Sequence, residues 1–301
     1  MNSNLSQDQI YLIVGKEGRL ATALVKAASI NLNDKTVLNV SARNIELDVI
    51  SSKLTPSQTL NIIWSSGWAG ARSEKETCDE DFRLFSSLID KLSVLECDHI
   101  NFIYLSSGGT IYGNSPGPVT ENSPANPNSH YAEMKLRSEE LLMSQPGDKI
   151  TSLVLRLANL YGSKLATSKI SLVDKCINNF KDKLPFFIFT NFASQKQYGT
   201  FQDYAKIILE STKSLSTDMT HTRILNVFSP YLYSVKDIIE ITSNFFNADW
   251  HTLIGDSFSD LPLETTILMN ADGINQPSIT WESLNSYLER IGLQSAESKI
   301  K

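Results

Sequence analysis

Three times in the first 110 residues a short apolar run breaks off at glycine or serine, with helical periods between the runs. The runs cover 10–14, 60–64 and 101–105. They stop at Gly15, at Ser65-Ser66-Gly67 and at Ser106-Ser107-Gly108-Gly109. Segments 36–40 and 151–157 are further candidate strands. A strand apolar on both faces is one covered on both faces, which is the situation in a parallel sheet flanked by helices. Segments 19–28, 82–95 and 131–143 supply the helical periods, with Phe82, Phe85, Leu88, Ile89 and Leu92 on one face of the second. The pattern therefore predicts α/β architecture of the Rossmann type, a doubly wound parallel sheet. Ligands of such sheets bind outside the carboxyl ends of the strands, where the small residues fall.

After Gly162 the pattern becomes mixed. A helix is expected over 170–180, another opens at Ser234 with Asp237 three residues on, and a last one covers 281–291, with a frayed tail from Gln294. At 301 residues the chain has room for about two domains. The expected division is a dinucleotide-binding domain over 1–163 and a smaller mixed substrate domain over 164–301, with 192–230 returning to the first.

Net charge is −6, and no Lys/Arg run occurs, so the electrostatic footprint of a nucleic-acid binder is missing. Three cysteines (Cys78, Cys97, Cys176) and four scattered histidines (99, 130, 221, 251) form neither a disulfide framework nor a zinc motif, and no metal is expected. Residues 1–9 lack a signal-peptide pattern, and no apolar run approaches the roughly 18 residues a bilayer requires. These features predict a cytoplasmic protein with no membrane insertion.

Three motifs carry chemistry. Gly15-Lys16-Glu17-Gly18-Arg19-Leu20-Ala21 follows a strand and opens a helix. Glycine permits a tight turn and close approach of backbone N–H groups to a pyrophosphate, and the helix N-terminus adds positive potential. Gly15, Gly18, Arg19 and Leu20 are thus cofactor candidates, although G-x-x-G also serves in a plain strand–helix turn. The second motif is Val40-Ser41-Ala42-Arg43, where an NAD site would place an acid for the ribose hydroxyls. A hydroxyl and a guanidinium suit a 2′-phosphate instead, which leans the cofactor toward NADP over NAD. Asp48, expected after a further short strand, is a candidate for the adenine side or for capping a turn.

The third motif is Tyr131-Ala132-Glu133-Met134-Lys135. Tyr131 and Lys135 share one helix face. A neighbouring ammonium and a cationic nicotinamide both favour the phenolate of a group whose ordinary pKa is about 10, and together they are expected to lower that pKa. With a serine of the Ser106/Ser107 pair nearby, the set forms a proton relay beside a hydride acceptor.

These segments, together with Tyr104–Gly113 and Leu155–Gly162, resemble the extended short-chain dehydrogenases/reductases, the epimerase/dehydratase family of nucleotide-sugar 4-epimerases and 4-keto reductases. The resemblance implies Tyr131 as catalytic acid/base, Lys135 as its partner and a ligand of the nicotinamide ribose, and Ser107 or Ser106 holding the C4 oxygen. It implies that Ser65 and Ser66 clear the cofactor and that Asn159 touches the nucleotide sugar. Many relatives carry the catalytic Ser or Thr one position later, at what is Gly108 here, and an Arg for the sugar-nucleotide phosphates where Lys196 stands. Ser107 is favoured over Ser106, and Gly108 and Lys196 remain substrate-side candidates. The partner implied is a nucleotide-diphosphate sugar, and a homodimer is left open. His130 is read as a satisfied loop histidine. Phe186, Phe187, Phe189 and Phe192 are read as core, and Trp64 and Trp68 as packing beside the cofactor pocket. The reading is hydride transfer at C4, by an epimerase or a reductase. A non-catalytic dinucleotide-binding regulator or structural subunit is the rival, against which the intact Tyr131/Lys135 pair speaks.

Overall fold

The computed structural model describes residues 9–16, 18–31, 37–115, 117–145, 149–162, 170–213, 215, 222–254, 263–272 and 274–297. The chain begins β1 (Gln9–Val14), α1 (Arg19–Asn31), β2 (Val37–Val40), α2 (Leu47–Ser51), β3 (Thr59–Trp64), α3 (Lys75–Ile89), β4 (His99–Ser107) and α4 (Gly108–Ile111). It continues β5 (Pro118–Val119), α5 (His130–Met143), β6 (Ile150–Leu157), β7 (Asn159–Tyr161), α6 (Leu172–Asp182), β8 (Gln195–Thr200) and α7 (Phe201–Lys213). The remaining elements are β9 (Arg223–Val227), β10 (Leu232–Ser234), α8 (Val235–Phe245), α9 (Trp250–Leu253), β11 (Ile267–Leu268) and α10 (Leu284–Glu297).

Six strands pair in the order β2-β1-β3-β4-β6-β9, every pair parallel. Successive side chains on a strand point to opposite faces, so each apolar run feeds two cores. Ile13, Ile63, Ile103, Leu153 and Leu155 pack on one face with Ala21, Leu24 and Ala28 of α1 and Tyr204, Ile207 and Ile208 of α7. Leu12, Val14, Ile62, Trp64, Phe102, Tyr104 and Val154 pack on the other with Phe85, Leu88 and Ile89 of α3 and Leu142 of α5. Each such side chain contributes roughly 1.5–3 kcal/mol when fully buried. From β1 the chain passes to β2 on one side and later to β3 on the other. The switch point thus lies at the carboxyl ends of β1 and β3, between Gly15 and Ser65.

A smaller three-stranded sheet, β10-β8-β7, packs with α6, α8 and α10 around Tyr161, Phe180, Ile238, Ile239, Leu284 and Leu288. β5 and β11 form a parallel two-stranded pair. Helix α8 opens on a capping box, the Asp237 N–H donating to Ser234 Oγ and the Ser234 N–H to Asp237 Oδ2. Among the described residues no helix is long and apolar enough to cross a membrane.

Several elements differ from the sequence expectation. α3 starts at Lys75 and ends at Ile89, and a separate 3₁₀ turn over Leu92–Val94 follows. The last helix starts at Leu284 rather than 281, because Trp281 turns inward onto Tyr204 at 5.2 Å and the Glu282 N–H is taken by the Asp203 carboxylate. It runs to Glu297, past the expected fraying point. No strand precedes Asp48, which lies in the first turn of α2. Phe186 is buried as expected, but Phe187 and Phe189 are each 55% exposed and stack on one another at 6.1 Å. The short segment alternates, so only Phe186 and Ile188 face the core.

Candidate active site

The β1–α1 turn is built by close approach. Gly15 has φ +129°, and a Cβ there would lie 2.9 Å from the Ser65 carbonyl carbon and oxygen. Its N–H donates to the Val40 carbonyl, and the Gly18 N–H donates back to the Gly15 carbonyl at 2.7 Å. The first-turn N–H groups of α1, those of Arg19 and Leu20 among them, have no intrahelical acceptor by helix geometry. Ser65 Oγ is buried with no hydrogen-bond partner. A glycine cradle, an orphaned hydroxyl and a helix N-terminus together fit a dinucleotide pyrophosphate. Arg19 places its guanidinium 5.2 Å from the centre of the Phe201 ring, where burial lowers its pKa and the Asp174 charge opposes that. Ser66 follows Ser65 into the same loop.

Beyond β2, past Ser41, Arg43 lies 3.8 Å from the centre of the Trp68 ring, a cation–π contact. Glu46 accepts from the Asn44 side chain at 3.2 Å. The loop carrying Trp68 is fixed by Asp81 of α3. Asp81 Oδ1 accepts the Trp68 N–H at 3.1 Å, and Oδ2 accepts the Ala69 N–H at 2.6 Å.

Helix α5 is capped by Ser129, whose side chain accepts the Ala132 N–H, so Tyr131 falls in its first turn. Tyr131, Lys135 and Glu139, each four residues apart, form one stripe against β4. The Ser107 hydroxyl is near enough to the Tyr131 phenol to favour its charged form. Lys135 Nζ donates to the Leu105 carbonyl at 2.9 Å and stands 4.8 Å from the Tyr104 ring centre and 5.6 Å from that of Tyr131. Glu139 accepts from Ser106 Oγ at 2.5 Å. It also pairs with Arg156 at 2.6 Å, and both side chains are buried. Arg156 donates to Tyr112 Oη, which donates to Asn226 Oδ1, each at 2.8 Å. Ser106 is therefore tied into a buried network, whereas Ser107 faces the phenol.

The chain's own groups, taken without a nicotinamide, raise the Tyr131 pKa. Burial pushes the phenol up to about 12, the charge of Asp81 adds to this, and the Ser107 hydroxyl opposes it. Lys135 is turned toward the Leu105 carbonyl. Burial pulls its own pKa down to about 8 against the charges of Asp81 and Glu139. The resting relay holds a protonated phenol.

The remaining candidates are more dispersed. Asn159 donates to the Gln197 carbonyl at 3.4 Å, and its amide lies 3.9 Å from where a Cβ on Gly109 would be. Lys196 pairs with Glu264 at 3.3 Å. His130 sits 3.4 Å from Glu133 on the exposed helix start. Asp48 has its backbone carbonyl bonded to Ser52. Trp64 is core, edge-on to Phe85 at 5.3 Å. Cys78, Cys97 and Cys176 are buried and form no disulfide.

Sequence reasoning missed Asp81, Leu268 and the Arg156–Glu139 pair. Glu139 had a signal, since it stands one helical turn beyond Lys135 on the same face. Asp81 had none, because an acid in the charged first half of a helix ordinarily faces solvent.

The fold and the glycine turn define an α/β protein of the Rossmann type. Residues 12–231 match the model of the NAD dependent epimerase/dehydratase family, and the chain belongs to that family. A curated relative, dTDP-4-dehydro-6-deoxyglucose reductase of Escherichia coli, is 28% identical over 180 residues. The match covers 59% of this chain and spans about half of that protein's length, 52%. Among solved structures, a Bacillus cereus UDP-glucuronic acid 4-epimerase holding NAD has a TM-score of 0.75 at 16% identity, over 93% of this chain and 96% of that one. A UDP-N-acetylglucosamine 4-epimerase of Methanobrevibacter ruminantium has 0.74 at 15%, over 95% and 99%. The UDP-glucose 4-epimerase of Thermus thermophilus with NAD has 0.69 at 15%, over 87% and 90%. At these identities the structures establish the shared fold.

Proposed function

We propose that the chain is an NAD(P)-dependent oxidoreductase acting at C4 of a nucleotide-diphosphate sugar, running as a 4-keto reductase with NADPH. The observation that carries this reading is the Ser107–Tyr131–Lys135 set at the carboxyl end of β4, with the phenol protonated. When bound, the reduced nicotinamide supplies the hydride for the ketone carbon. Ser107 holds the C4 oxygen, and Tyr131 gives that oxygen its proton as negative charge develops there. The phenol, protonated at neutral pH, carries the proton that reduction of a ketone requires. Lys135 binds the nicotinamide ribose, Asn159 contacts the sugar, and Lys196 exchanges Glu264 for the diphosphate. Arg43, spread on Trp68 with no carboxylate between residues 40 and 44, supports a 2′-phosphate. The reductase activity named for the Escherichia coli relative agrees with this direction.

The test supplies the purified chain with NADPH or NADH and dTDP-4-dehydro-6-deoxyglucose, and separately with UDP-glucose alone. Consumption of NADPH is expected, reduced at least about 10²-fold in Tyr131→Phe. Conversion of UDP-glucose to UDP-galactose without added cofactor, with NAD released on denaturation, would replace this reading by a 4-epimerase.

A further inference from the structure

We propose that Asp81 is a positioning residue for the proton relay, its buried carboxylate fixing the loop beside the cofactor site and keeping the protons of Lys135 and Tyr131 in place. Asp81 is 6% exposed and sits on α3, away from the motifs that identify the family. Each of its oxygens accepts a backbone N–H of the 68–69 segment. Ala69 then packs with Cys78, Met134, Phe82 and Tyr131 in a small apolar cluster at the mouth of the relay. The carboxylate is thus anchored to the segment that packs in one cluster with Tyr131.

The groups facing the relay are Cys78 and Asp81 from α3, Tyr104 and Ser107 from β4, and Lys135 and Glu139 from α5. Glu139 is already matched by Arg156 and Ser106. Asp81 is held by neutral N–H donors, so its full charge is felt by its neighbours. That charge favours the ammonium of Lys135 and disfavours the phenolate of Tyr131, and both act to retain a proton. Without Asp81, burial would carry Lys135 toward its neutral form near physiological pH. The idea rests on the proposed reduction for its purpose, but its test does not use substrate or cofactor.

The experiment follows the lysine Cε and Nζ resonances of the isotope-labelled full chain through a pH titration, with Lys135→Met identifying the signal. Lys135 is expected to titrate near 8 in the wild type. In Asp81→Asn the midpoint should fall by about one pH unit, the usual scale of a nearby charge. A role limited to anchoring the loop predicts the opposite sign, because a loosened loop admits water and raises the midpoint. An unchanged or raised midpoint overturns the proposal. Asp81→Ser, smaller and equally neutral, should give the same fall and serves if the asparagine variant does not fold. Asp81→Glu should restore the wild-type value. Absence of NADPH-dependent activity in the wild type, alongside the expected fall of the Lys135 midpoint in Asp81→Asn, would reject the reductase reading and leave the role of Asp81 intact.

Discussion

Leu268 fills the space that a side chain on residue 108 would need. A Cβ built on Gly108 would lie 2.5 Å from Leu268 Cδ1 and 3.2 Å from the Arg156 carbonyl oxygen. β11, which carries Leu268, is held there by β5 and by Gln197, whose side chain bonds both the N–H and the carbonyl of Leu268. The family resemblance implies a Ser or Thr at this point of the strand end in many relatives. Here the C-terminal segment has taken that volume, and the hydroxyl next to the phenol comes from Ser107.

The consequence is a measurable coupling. Gly108→Ser should cost about 1–3 kcal/mol through overpacking. Leu268→Ala alone should cost about 2–5 kcal/mol as a cavity. Combined, they should cost clearly less than the sum, because each relieves the other. Urea midpoints of the four proteins measure this, and additive losses would show that the two side chains do not share the space.

Ser106 and Ser107 are adjacent, yet they should fail differently. Ser106→Ala removes the donor to a buried carboxylate and should lower stability by about 1–3 kcal/mol. Its effect on turnover should be small, because the Arg156 pair still holds Glu139. Ser107→Ala should leave the unfolding midpoint near wild type and reduce turnover strongly. A reversed pattern, with Ser106→Ala the catalytically damaged variant, would mean that the proton relay runs through the other face of β4.

How much of this was readable beforehand follows from which contacts are local. The strands announced themselves because both faces are buried, so Leu12 and Ile13 are apolar alike. Tyr131 and Lys135 were legible because helical spacing alone puts them together. Gly15 was legible as a turn residue, although the close approach to Ser65 that demands it depends on β3 arriving alongside. Asp81 and Leu268 were not legible. Each acts on the site from a distant part of the chain, and neither carries a local pattern that separates it from an ordinary surface acid or an ordinary core leucine. Phe187 and Phe189 misled for the complementary reason: an apolar composition says nothing of which alternate residues a short extended segment turns outward. The direction of the Lys135 ammonium was not legible, because sequence spacing shows that it is near the phenol but not that it points at the Leu105 carbonyl.

Cofactor choice should depend on Arg43. A charge-assisted bond to a phosphate is worth roughly 1.5–3 kcal/mol, about tenfold to hundredfold in affinity. Arg43→Ala should therefore lose most of a preference for NADPH while NADH binding stays within a few-fold. Trp68→Leu, which removes the ring beneath the guanidinium, should erode the preference more weakly, since an exposed cation–π contact is worth about 0.5–1 kcal/mol. Binding titrations with both cofactors on the three proteins decide it. Tighter NADH binding by the wild type, unchanged in Arg43→Ala, would assign Arg43 to the surface.

Burial of Lys135 should be visible as a pH dependence of stability. Folding lowers its pKa from 10.5 to about 8. Below 8 the ammonium is charged in both states, and the folded chain carries its desolvation cost. Between about 8 and 10.5 the unfolded chain binds more protons than the folded one, so the contribution of this residue to stability rises with pH across that window. At 1.36 kcal/mol per pH unit, the rise amounts to about 3 kcal/mol. The raised phenols of Tyr131, Tyr198 and Tyr287 act in the opposite sense above about 10, where the unfolded chain loses protons that the folded chain keeps. Comparison with Lys135→Met removes that background, since the tyrosines are common to both proteins. The variant should be the more stable of the two near pH 7, and its advantage should shrink steadily by pH 10. Urea midpoints at half-unit intervals measure the difference, and a gap that stays constant with pH would show that Lys135 keeps its ordinary pKa in the folded chain.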